Sequence, residues 1–155
     1  MNYKIYTSYF GNAKNLDADK YALIGIAGRS PDRWNGFEYK KLAPSWSIWN
    51  DWHLNMINSE QAKDREAAKK SACTVYTNRF KEEILGKLDP MKVVLDIFQL
   101  ANGKIPVLLC YEKPGDFCHR HLVADWLNTN NELLERFIGF GVLEWNNFVD
   151  EPGLF

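Results

Sequence analysis

Residues 105–127 read IPVLLCYEKPGDFCHRHLVADWL, and their patterning decides the fold. The first part, through Lys113, is apolar on both faces. That is expected of a central strand in a parallel sheet covered on both sides. The Pro-Gly turn breaks it, and the chain then reads as a helix. In a strand, side chains alternate, so Cys110 and Glu112 fall on one face, at the strand's C-terminal end. Ligands of open α/β sheets bind at that edge.

Outward from this unit, residues 3–10 (YKIYTSYF) are β-branched and aromatic, and residues 21–28 (YALIGIAG) are a continuous apolar run. Both predict strands. Residues 29–58 hold two prolines and seven aromatic rings, six from Phe, Tyr and Trp and one from His53. They predict a long irregular excursion over the sheet edge, with one helical turn after Pro44. From Ser59, read as an N-cap, strong helix formers run to Pro90. Cys73, Tyr76, Phe80 and Ile84 form the buried stripe of that helix. Asp89, Pro90 and Gly103 bracket another helix as cap, first position and stop. "NELLERF" reads as a short helix, and residues 138–145 as a last strand. With no repeat or boundary, residues 1–155 predict one three-layer α/β domain, Rossmann-like, with a mostly parallel sheet flanked by helices.

The helix after the turn sorts the cluster. With Asp116 as N-cap, Cys118, His119 and Arg120 occupy the first turn. Leu122, Val123, Trp126 and Leu127 define the buried stripe. His119 then points inward to Cys110 and Glu112, while His121 faces water. Three chemistries fit. An anion would meet free N–H groups and Arg120. A thiolate at Cys118 would be a nucleophile, with Glu112 and His119 as acid or base. Zinc on Cys110, Cys118 and His119 is the least favoured: the usual ligand spacings are absent, and neighbouring Cys and His diverge on a helix. No metal or other cofactor is therefore expected. The bland readings stand beside these. Cys110 suits a core hydrophobe, and His119 a core histidine hydrogen-bonded to Glu112.

Arg29 and Arg33 follow the C-terminal end of the second strand, and Ser8 lies at the same edge if the first strand runs parallel. All three are candidate ligand-binding residues with Arg120. Trp34, Phe37, Tyr39, Trp46, Trp49 and Trp52 interleave with Arg29, Arg33, Lys40 and Lys41. That mixture suits bases and phosphates. The spacing of Trp46, Trp49 and Trp52 by three favours packing on the core instead.

A net charge of −1 argues against a mainly electrostatic nucleic-acid binder. No apolar run is long enough to cross a membrane. Three cysteines without a dense framework suggest free thiols in a reducing cytoplasm.

The motif resembles the signature of domain-of-unknown-function family 488, in which a Cys-x-Glu strand precedes Cys-His-Arg opening a helix. Cys110, Glu112, Cys118, His119 and Arg120 all match. The blocks YTSYF, LIGIAGRSPDRW, YKKLAPSW and TVYTNRFKEEIL are similar too, so the likeness spans residues 3–130. It implies a compact α/β domain of phage or bacterial type with a nucleotide or nucleic-acid connection. The expected partner is a phosphate-bearing small molecule or nucleic acid, with Cys110, Glu112, Cys118 and His119 as reactive groups. The alternatives are a non-catalytic ligand-binding module and a protein–protein adaptor.

Overall fold

A computed structural model of the chain describes residues 4–113, 116–130 and 141–144, the last as backbone. Its elements in order are β1 (Lys4–Tyr9), β2 (Tyr21–Gly25), β3 (Phe37–Glu38), α1 (Trp46–Ser59), α2 (Arg65–Arg79), α3 (Pro90–Ala101), β4 (Ile105–Cys110), α4 (His119–Thr129) and β5 (Gly141–Glu144). The strands form one sheet in the order β3-β2-β4-β1-β5, and every adjacent pair is parallel. The predicted three-layer α/β domain is the observed one.

Alternation along β4 splits the core. Leu108 joins Ile5, Ile24, Phe80, Ile97, Val123 and Leu127 on the face covered by the α-helices. Val107 and Leu109 join Tyr6, Leu16 and Tyr21 on the other face, where Phe10, Ala13 and Trp34 pack against them. A 3-10 helix, Phe10–Asn15, lies after β1. Because β4 is buried on both sides, it reads as an uninterrupted apolar run.

The excursion is more ordered than expected. Ser45 accepts a hydrogen bond from the Ile48 N–H and caps α1, fourteen residues long rather than one turn. Ser59 is the last residue of α1, not a cap. Asp64 caps α2 through the Ala67 N–H. On α2 the buried residues are Ala72 and Tyr76, continued by Phe80, while Cys73 is half-buried. The stripe sits one residue away from the expected start. Phe80–Ile84 is then a π-helical segment. Asp89, Pro90 and the left-handed Asn102–Gly103 pair bracket α3 as predicted. The short helix expected at "NELLERF" lies outside the described residues.

Arg79 on α2 holds α1 in place. It reaches Asp51 at 2.7 Å and the Ser47 hydroxyl at 3.0 Å, and also pairs with Glu83. Gly36 is tightly enclosed between Trp34 and β2. A methyl group there would meet the Leu23 carbonyl oxygen at 2.7 Å and the Trp34 ring. Gly36→Ala is expected to destabilise the fold by about 1–3 kcal/mol. Urea unfolding checks this, and an unchanged midpoint would refute it. No helix among the described residues is long and apolar enough to cross a membrane.

Candidate functional site

The site forms where β2 and β4 end. The Ile26 N–H donates to the Leu109 carbonyl, at 2.9 Å, and extends the ladder beyond β2. Residues 27–29 then leave the sheet beside Cys110. A pocket of about 770 Å³ opens there. Cys110, Glu112, Cys118 and His119 all line it, as does Arg29. The sequence-based prediction therefore brings five of its eight site residues to one cavity. β4 ends at Cys110, so Glu112 reaches the pocket from the bend after the strand.

The remaining three go elsewhere. Ser8 is buried on the opposite face of the sheet, where it accepts a hydrogen bond from the Asn12 amide at 3.0 Å. β1 does run parallel, but alternation turns Ser8 away from the pocket. Arg33 is exposed and does not line the pocket. Arg120 is fully buried (0% exposed) rather than placed to meet an anion. Its guanidinium donates to Cys110 Sγ at 3.1 Å and to the Glu112 carbonyl oxygen. It ties the end of β4 to α4 instead of facing the cavity.

The cap assignment at Asp116 shifts by two residues. Cys118 is the N-cap of α4, with extended backbone (φ −152°, ψ 142°), and His119 is the first helical residue. Cys118 and His119 therefore do not diverge as neighbours within a helix do. Cys118 instead turns to Cys110, and their sulfurs are bonded. The expectation of free thiols is corrected for these two; Cys73 is the free cysteine. Proximity explains the pairing, since the end of a strand and the start of the next helix are adjacent across a short turn. In the bonded state neither sulfur is a nucleophile.

His119 is buried, with Nε2 2.7 Å from the Ile26 carbonyl oxygen. A carbonyl only accepts, so Nε2 carries the proton. This partner replaces the expected Glu112. Burial pushes the imidazole pKa down to about 4, against a smaller raising effect from the Ile26 hydrogen bond, so the ring is neutral at pH 7. Burial raises the Glu112 carboxyl above its usual range. A hydrogen bond from its own backbone and the charge of Arg120 oppose this. A carboxyl poised nearer neutrality suits proton transfer.

The walls are aromatic. Trp52 stacks on Phe117 (5.9 Å between centroids), and Tyr76 meets Phe117 edge-on. Burial, then the Glu112 charge, pushes the Tyr76 hydroxyl pKa upward. Trp46 and Trp49 stack on each other at 5.3 Å, and Trp49 on His53 at 4.7 Å. Trp46 is 73% exposed and Trp49 36%, so only Trp52 of the three packs on the core. Residues three apart drift about 60° around a helix, so the expected common face does not form. Tyr76, Phe117 and Tyr111 were not singled out from the sequence as lining residues. Tyr111 donates to the Arg29 carbonyl oxygen at 2.6 Å and fixes the rim. Its place beside Cys110 and Glu112 was the available signal.

Fold and site together define a parallel α/β domain whose Cys-x-Glu strand and Cys-His-Arg helix meet at the carboxyl edge of the sheet. The family model described as the active DUF488-N3 subclade matches residues 15–131. The chain belongs to the DUF488 family. No curated protein and no solved structure matches it.

Proposed function

We propose that the pocket takes the base of a nucleotide, free or within a nucleic acid, and that the protein is an enzyme acting on it. The observation that carries this reading is the cavity itself: aromatic walls from Trp46, Trp49, Trp52 and Phe117, with the exposed Arg29 at its rim and Glu112 within. Its volume lies in the range of small-ligand sites. Rings stack on the faces of bases, and an arginine beside them meets phosphate. Arg29 pairs only loosely with Asp32, at 3.7 Å between two exposed side chains, so a phosphate can displace that partner. The matched subclade is described as active, which supports catalysis over binding alone. Glu112 is the group suited to carry a proton.

A thermal-shift and tryptophan-fluorescence screen with nucleotides and short oligonucleotides tests this. Trp49→Ala is expected to weaken binding about tenfold, from roughly 1–3 kcal/mol of lost stacking. Arg29→Ala should weaken phosphorylated ligands more than the matching nucleosides. Chromatography of bound ligand after incubation would reveal turnover, lost in Glu112→Gln. Binding by no member of the panel would sink the reading. It would favour the adaptor alternative, for which the exposed Trp46, Leu54 and Ile57 of α1 speak.

A further inference from the structure

We infer that the reduced protein holds a Zn²⁺-type ion at the pocket floor, on Cys110 Sγ, Cys118 Sγ and His119 Nδ1. The three side chains offer one ligand atom each within 4.8 Å of one another, all on buried residues. Two thiolates and an imidazole are the donor set that borderline-soft divalent ions prefer.

Three features of the surroundings point the same way. First, the His119 ring is already oriented as a ligand. Its Nε2–H is given to the Ile26 carbonyl, which leaves the lone pair on Nδ1. Nδ1 lies 3.9 Å from Cys118 Sγ, which is itself bonded to Cys110 Sγ. Second, Arg120 donates to Cys110 Sγ at 3.1 Å. A buried cation there favours the thiolate that coordination needs. Third, the backbone spacing is wide. The Cys110 and Cys118 Cα atoms are 7.4 Å apart, beyond the usual disulfide limit of about 6.8 Å. Two thiolates on a tetrahedral zinc, each at about 2.3 Å, sit about 3.8 Å apart. A frame this wide accommodates an ion between the sulfurs. The extended conformation of Cys118 permits the arrangement, since it removes the divergence that spacing on a helix would impose.

All three ligands also line the cavity. Glu112 lines the same cavity, so the inferred ion would present its fourth, open coordination position to the pocket that Glu112 shares. Three protein ligands with one open position is the arrangement of a catalytic rather than a structural zinc. The site stands independently of which ligand enters the pocket.

Disulfide and metal exclude each other on the same sulfurs. A dithiol reductant supplies two electrons and two protons to the Cys110–Cys118 bond and becomes a disulfide itself. Metal binding then releases the two thiol protons to solvent as the two sulfur–metal bonds form. The occupied state belongs to reducing conditions.

Cobalt(II) reports on the site. The full chain is reduced with a trialkylphosphine, kept free of oxygen and titrated with Co²⁺. We expect one equivalent to give the visible bands of tetrahedral cobalt and the near-ultraviolet charge-transfer band of thiolate ligation, both erased by Zn²⁺. Unreduced protein should give neither. Cys118→Ser and His119→Gln should lose the charge-transfer intensity or the tetrahedral pattern, and Cys73→Ser should keep both. Circular dichroism establishes that each variant is folded. A reduced wild type that binds no cobalt overturns the inference, as does a folded Cys118→Ser with an unchanged spectrum. The nucleotide screen is scored separately, so failure of one leaves the other readable.

Discussion

Arg120→Ala is expected to destabilise the protein by about 3 kcal/mol or more. Two effects add. The side chain is among the largest fully buried in the described structure, and its truncation leaves a cavity, which for large-to-alanine changes costs about 2–5 kcal/mol. It also removes the donor to the Glu112 carbonyl and to Cys110 Sγ. A buried acceptor left without its partner costs roughly a further 1–3 kcal/mol. Arg120→Lys keeps a charge but loses the planar fork that reaches both acceptors, so it should recover only part of the loss. Arg120→Met restores volume without a donor and separates the two effects. Equilibrium urea unfolding, run with and without reductant, measures all three. An alanine variant within about 1 kcal/mol of wild type would show that Arg120 does not join β4 to α4 as described. The sequence-based role for Arg120, direct contact with an anion, makes a different prediction: loss of ligand binding at unchanged stability. Burial favours the first outcome.

The contrast shows what the sequence made legible. Periodicity was strongest where burial was one-sided or complete. The doubly apolar run Ile105–Cys110 gave the parallel sheet. Leu122, Val123, Trp126 and Leu127 gave the inward face of α4. The direction of His119 followed from that face. What failed depended on one or two residues of phase. An N-cap at Cys118, with no side-chain capping bond, carries no compositional signature, whereas Asp116 carries a misleading one. The later helix start takes Cys118 out of the helix and brings it to Cys110, while Arg120 goes inward because the buried face of α4 centres on Val123 and Leu127, three and seven residues on. Ser8 failed by parity alone, because alternate residues of β1 face opposite layers. The excursion was misjudged for another reason. Its aromatic content suggested irregular chain, yet the Ser45 cap before Trp46 was a readable helix start. The partner of His119 was not legible at all. Ile26 lies 93 positions away and contributes a backbone oxygen, which no residue type encodes.

Phe80→Ala is the second large effect expected, at about 3–5 kcal/mol. Phe80 is fully buried, and it opens the π-helical segment after α2. The wider turn places its ring 5.5 Å from the His119 imidazole and 6.1 Å from Tyr76. Such segments are rare and are enriched near functional sites. Here the segment brings a core ring against a site histidine. Removal should therefore loosen His119 as well as the core. Two readouts are expected to move together. The unfolding midpoint falls, and in the still-folded fraction the His119 Nε2–H, held by Ile26, exchanges faster with solvent in imidazole-resolved NMR. Phe80→Leu keeps most of the apolar volume and should cost less, yet it lacks the ring face against the imidazole. Val75→Ala, at an exposed position of α2, should change stability by no more than about 0.5 kcal/mol. If Phe80→Ala lowers stability while His119 exchange stays at its wild-type rate, Phe80 packs the core without supporting the site, and the π segment is only a device of packing.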